Sequence, residues 1–286
     1  MFLPHEIFLL IVEAIIDDAE AKAFDQPMTW WLHGFAGEVF DQFTIFSVDD
    51  IQPKLGGIPR HPNRALNDTL RISEVNSSAF RIVRRRFSRL PYWCPYGPTT
   101  DRVPYAWAHP KIDFFHPVIE FSTTTSNRLI IRLGNTVLYR LIHQSPRGRQ
   151  ITAHIQNVVF APVLRSVEDM RANCRALLTL ANLRVLHLGI RVAVEPLPEK
   201  FCGPGVVVPV DAPEVGQIRD YLTHYEALWT PLLDRGVRVI LDGQTFDSNK
   251  TRYLLELCRE EDGLYLRHVD PRSHWFKLRS ALEIPA

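Results

Sequence analysis

Residues 1 to 16, Met1-Phe2-Leu3-Pro4-His5-Glu6-Ile7-Phe8-Leu9-Leu10-Ile11-Val12-Glu13-Ala14-Ile15-Ile16, are more apolar than a helix packed on a single core requires. Pro4 suits the first helical position, because its ring presets φ and its missing N–H has no intrahelical partner there. Glu6 follows in the first turn, where its charge faces the positive end of the helix dipole. At roughly 100° per residue, Glu6, Glu13, Asp17 and Glu20 line one acidic strip, and apolar side chains fill an arc of about 200°, twice what one core requires. We assign Ile7, Ile11, Ala14 and Ile15 to the chain's own core, which leaves Phe8, Leu9, Val12 and Ile16 as a second surface. In water each of these four forgoes roughly 1.5–3 kcal/mol of burial. Either a partner covers them or the rest of the chain does, as around a central helix of a larger protein.

A chain of 286 residues can bury about three quarters of its unfolded surface, enough for one large core or two modest ones. With Lys+Arg 33 against Asp+Glu 32 the formal charge is +1, so no global attraction for nucleic acid or an anionic membrane exists. The opening apolar run lacks a basic leader, is interrupted by Glu13 and ends in Asp17-Asp18, unlike a signal peptide or a membrane span. Cys94, Cys174, Cys202 and Cys258 lie too far apart for zinc-type pairs, and reduced thiols in an intracellular protein, cytoplasmic or nuclear, are expected.

Residues 26–63 read as an insertion. Its first half holds Trp30, Trp31, Phe35, Phe40, Phe43 and Phe46, which favour a local buried cluster over an exposed anchor. Leu66, Leu70, Val75, Ala79, Ile82, Val83 and Phe87 then recur at helical spacing, and Asn76-Ser77 can cap a new helix. Arg81, Arg84, Arg85 and Arg89, with Arg86 nearby, sit on its polar side. His109, Asp113 and His116 have metal-ligand spacing only on a helix, and Pro110 and Pro117 argue against one. Leu129, Leu133, Val137 and Leu141 favour a helix between Ser126 and His143, with a hairpin around Gly134-Asn135 as the alternative.

The C-terminal half predicts a strand at Ile155–Phe160, a helix from Ser166 presenting Met170, Cys174, Leu177 and Ala181, and a strand through Leu186, Leu188, Ile190 and Val192. A second helix runs from Pro213 to a stop at Gly236, followed by a strand at Val237–Leu241. A third helix, around Thr251–Glu261, precedes a strand at Leu264–Val269. Alternating strands and helices predict a mainly parallel sheet with helices packed on it. Leu180-x-x-Leu183-x-x-Leu186-x-Leu188 echoes one leucine-rich repeat, so a degenerate layer of that type is an alternative. The expected fold class is α+β: a helical module at 1–92 with an aromatic insertion at 26–63, then an α/β interaction module at 93–286.

Leu3-Pro4-x-Glu6-Ile7, followed by Ile11-Val12-Glu13, resembles the start of an F-box, the short helical module that docks onto the adaptor of a cullin-RING ubiquitin ligase. A closer likeness is to fungal F-box-like proteins with two Glu-x-Arg motifs, the first inside the Leu-Pro-x-Glu turn. Here Phe8 stands in place of the first Arg, and Asn76, after Glu74-Val75, in place of the second. The likeness extends over Asn67–Phe87 and Pro110-Lys111-Ile112-Asp113-Phe114-Phe115. It implies a non-catalytic substrate receptor that docks on the adaptor through Leu3, Pro4, Ile7, Phe8, Leu9, Val12 and Ile16 and holds a protein client on its C-terminal module. The alternative is an interaction or scaffold protein in which these helices are only core. The sequence has no G-x-S-x-G elbow, phosphate loop or G-x-G-x-x-G fingerprint, so no catalytic residue, cofactor or metal site is expected.

Overall fold

The computed structural model describes residues 4–25, 27–34, 43–47, 71–92, 105–117, 120–123, 129–132, 140–160, 167–194, 205–245, 252–261 and 263–269. The chain is α+β and divides into two units, whose described residues fall within 4–132 and 144–155 for the first, and 140–143 and 156–269 for the second.

In the first unit, α1 (His5–Asp25) continues well beyond the apolar stretch. Strands β1 (Thr29–Gly34) and β2 (Phe43–Ser47) come from the aromatic insertion and pair antiparallel, with Trp31 opposite Phe46. Aromatic and β-branched side chains suit a pleated, buried surface, and Trp30, Trp31, Phe43 and Phe46 are all buried. Phe35 and Phe40 lie outside the described residues. Helix α2 (Ser77–Arg86) is followed by β3 (Ser88–Pro91), which pairs antiparallel with β4 (Tyr105–Ala108). Strand β5 (Phe114–Pro117) lies parallel to β1, and β6 (Glu120–Thr123) forms an antiparallel pair with β7 (Leu129–Arg132). Helix α3 (Pro146–Thr152) starts at Ser145, whose hydroxyl accepts from the Gly148 N–H at 3.1 Å.

Two expectations are corrected here. The first unit, expected as a helical module with an aromatic insertion ending at residue 92, extends further, because β4 and β5 pair with β3 and β1 and so belong to it. Residues 129–132 form a strand rather than the start of a helix. The β-branched pair Ile130-Ile131 suits the ladder that β6 supplies.

The second unit contains β8 (Asn157–Phe160), α4 (Val167–Leu178), β9 (Val185–Val194), β10 (Val207–Pro209), α5 (Gly216–His224), α6 (Glu226–Asp234), β11 (Arg238–Thr245), β12 (Arg252–Glu260) and β13 (Gly263–Val269). The strands order as β10-β13-β12-β11-β9-β8. Among the described residues of this unit β8, β9 and β11 run parallel while β10, β12 and β13 pair antiparallel, so the sheet is mixed. The helix expected at Thr251–Glu261 is instead β12, paired with β11 on one side and β13 on the other. Its Leu254-Leu255-Glu256-Leu257 run fits a helix locally, but two flanking ladders satisfy its backbone and override that preference.

The single helix expected from Pro213 to Gly236 breaks at Tyr225 into α5 and α6. The Trp229 indole N–H donates to the Leu222 carbonyl at 2.8 Å, satisfying an oxygen left over by the break. Gly236, at φ 80, ends α6 as expected, with Gly236 N–H bonded to Leu233 O and Val237 N–H to Leu232 O. Arg235 then donates to the carbonyls of Leu178, the last residue of α4, and of Leu180 just beyond it, at 2.7 and 2.8 Å.

Candidate functional site

Helix α1 is held by one face and free on the other. Val12, Ile16 and Ala19 are buried with Ala79 and Val83 of α2, Phe87 and Trp107, and Phe8, Ile72, Phe80 and Ile82 pack at the rim. On the opposite side Ile7, Leu10 and Ile11 are 44, 60 and 45% exposed, and Ala14 is exposed beside them. The two faces are exchanged relative to the sequence reading. Val12 and Ile16 lie in the unit's own core rather than on a docking surface, and Phe8 and Leu9 are half-buried. Ile7, Ile11 and Ala14, assigned to the core, face solvent. Of the remaining proposed docking residues, Pro4 is exposed and Leu3 lies outside the described residues. Leu10 was not singled out from sequence, although it completes an i, i+3, i+4, i+7 ladder of Ile7, Leu10, Ile11 and Ala14, the spacing of a helix that lies in a groove.

The swap follows from what α2 presents. Its N-cap is Asn76, whose side-chain oxygen accepts from the Ala79 N–H at 2.9 Å. Ala79 and Val83 then lie one turn apart on the buried face, small enough to admit the bulk of Val12 and Ile16. Asn76 thus caps α2, and Phe8 packs at the rim of the core.

Polar contacts lock α1 in this orientation. Glu20 accepts from Nε2 of His109 at 2.9 Å and from the Arg86 guanidinium, which also pairs with Asp17 at 2.7 Å. Burial works to raise the Glu20 pKa, but the hydrogen bonds from His109 and Arg86, with the Arg86 charge, hold it below the ordinary carboxylate value. For His109 burial dominates over Glu20 and keeps the imidazole below its usual pKa. The neutral ring therefore carries its proton on Nε2, toward Glu20, while Nδ1 is buried without a hydrogen-bond partner. Phe87 meets the ring edge-on at 5.2 Å.

His109, Asp113 and His116 do not form a metal cluster, and no group of three potential ligands occurs among the described residues. Asp113 instead closes the turn before β5. Its carboxylate accepts from Trp30 Nε1 and the His109 N–H, both at 2.8 Å, and from the Met28 N–H at 3.2 Å. Burial pushes its pKa up to about 6 against those bonds. His116 stacks on Trp31 at 5.2 Å, and burial pushes its pKa down to about 4. No described helix is long and apolar enough to cross a membrane.

Helix α1 thus commits one face to its own core and presents the other to solvent. No family model, curated protein or solved structure matches the chain.

Proposed function

We propose that this chain is a non-catalytic, F-box-like binding protein that docks through the outward face of α1 on the adaptor of a cullin-RING ubiquitin ligase. The reading is supported by the exposed ladder of Ile7, Leu10, Ile11 and Ala14, which begins within the F-box-like Leu3-Pro4-x-Glu6-Ile7 start. Burying an aliphatic side chain of this size is worth roughly 1.5–3 kcal/mol, so a groove that covers the ladder gains several kcal/mol. The locked inner face keeps the outer one presented, which lowers the ordering cost of binding. The C-terminal unit would hold a protein client, whose position beside the ligase raises its effective concentration there.

The burial of Val12 and Ile16 against α2 favours a second reading, an interaction or scaffold protein in which the F-box-like helices serve only as core. Co-purification separates the two. An Ile7→Asp/Leu10→Asp/Ile11→Asp chain should fold normally and lose the ligase adaptor that the parent chain retains. If parent and variant retain equal amounts of adaptor, the docking reading fails and the scaffold reading stands.

A further inference from the structure

We propose that the exposed face of α2 receives a phosphorylated side chain presented by a peptide segment of a partner protein. This goes beyond the adaptor reading and does not depend on it, because it uses a different helix and a different chemistry.

Arg81, Arg84 and Arg85 stand at i, i+3 and i+4 and are all exposed, while Ala79 and Val83 of the same helix are buried. At this spacing side chains are neighbours on the helix surface, and like charges so placed repel one another. Arg86 is neutralised by Asp17 and Glu20, but Arg81, Arg84 and Arg85 have no carboxylate partner among the described residues. The first turn of α2 has no acidic residue either. The helix dipole favours cations in the last turn, which accounts for Arg84 and Arg85; Arg81 lies outside that turn. Arg89 is already engaged, stacked 4.2 Å above the Tyr105 ring, and is not part of the face.

The positive field reaches neighbouring groups. His154, which shares a 2.9 Å hydrogen bond with Ser88, is held below its usual pKa first by desolvation and then by the charge of Arg84.

Size and charge select the occupant. From Arg81 to Arg85 the helix rises only about 6 Å and the i, i+3, i+4 spacing sets the three on one side of it, so the charge is concentrated on the scale of one compact anion. Nucleic-acid binders neutralise several phosphates along a backbone, and the chain's net charge of +1 supplies no wider basic surface. A phosphate monoester carries nearly two negative charges and three terminal oxygens. Guanidinium forks match those oxygens bidentately, which a lysine ammonium does not. The all-arginine composition of the face therefore fits a phosphorylated side chain better than a nucleic-acid strand.

The test is fluorescence anisotropy of the full chain with a labelled degenerate peptide pool centred on phosphoserine, against the same pool centred on serine and an oligo-uridine RNA of equal length. The phosphoserine pool should bind at least about tenfold more tightly than the serine pool, as one to two charge-assisted hydrogen bonds provide. An Arg81→Gln/Arg84→Gln/Arg85→Gln chain should lose that preference with its circular dichroism unchanged. Lysine at the same positions should restore only part of it. Equal binding of the two pools, a preference that survives in the glutamine chain, or tighter binding of the RNA would each overturn the proposal.

Discussion

Nε2 of His109 lies 2.9 Å from Oε1 of Glu20, across 89 residues of sequence. This contact, with Arg86 on the same carboxylate, fixes the rotation of α1 about its own axis and so decides which apolar face is buried. Glu20→Gln should destabilise the chain by about 1–3 kcal/mol, because a buried imidazole donor loses its charged acceptor. The Glu20 pKa is lowered in the fold, so its contribution is present above the unfolded value and lost as pH falls through the folded one. His109, also lowered, adds a loss that sets in below its unfolded pKa of about 6.5. Because Glu20 works to raise the His109 pKa against burial, Glu20→Gln should depress it further, and denaturation followed between about pH 7 and pH 5 should show a steeper acid dependence in the variant than in the parent; identical profiles would remove the pair as an anchor.

Asp113 and His116 should oppose each other in acid. His116 is neutral in the fold, and protonating the unfolded chain between pH 6.5 and its folded value of about 4 lowers stability by about 3 kcal/mol. Asp113, raised from 3.8 to about 6, takes up its proton earlier when folded, and gains a similar amount over nearly the same window. Asp113→Asn keeps an acceptor for Trp30 but cannot titrate. It should expose the His116 loss as a drop of about 3 kcal/mol between pH 6.5 and pH 4 relative to the parent. Parallel pH profiles for the two chains would contradict the assignment.

The two faces of α1 should respond differently to truncation. Ile16→Ala removes a fully buried side chain and should cost about 2–5 kcal/mol in chemical denaturation. Ile11→Ala acts on a side chain left 45% exposed and should stay within about 1 kcal/mol of the parent. A larger cost for Ile11 than for Ile16 would reverse the orientation of the helix.

Two local bonds have separate costs. Asn76→Ala removes the N-cap of α2 and should cost about 1 kcal/mol. Trp229→Phe leaves the buried Leu222 carbonyl without its indole donor, for about 1–3 kcal/mol. Since the bonds lie in different units, their effects should add in the double variant.

Much of the local structure was legible because it depends on near neighbours. Pro4, Glu6 and the apolar run predict α1, Asn76 predicts the start of α2, and Gly236 predicts the end of α6. The burial of Trp30, Trp31, Phe43 and Phe46 also follows from their crowding. Less was legible where a distant strand sets the outcome. The 252–260 segment has helical spacing, yet β11 and β13 supply ladders to both sides of it. Residues 105–117 fall by sequence in the C-terminal module at 93–286, yet β3 and β1 capture β4 and β5 for the first unit.

The candidate docking face shows the division most clearly. By itself, the sequence determined that α1 forms and that it has more apolar surface than one core can cover, because both follow from residue types at helical spacing. Periodicity gives the size of that surplus but has no means of orienting it. Only the tertiary structure decided that Val12 and Ile16 turn inward and Ile7, Leu10 and Ile11 outward. The small Ala79 and Val83 face of α2, and the salt bridges and hydrogen bonds linking Asp17 and Glu20 to Arg86 and His109, lie 60 or more residues away. A helix takes the rotation that satisfies its packing partner and its buried charges together.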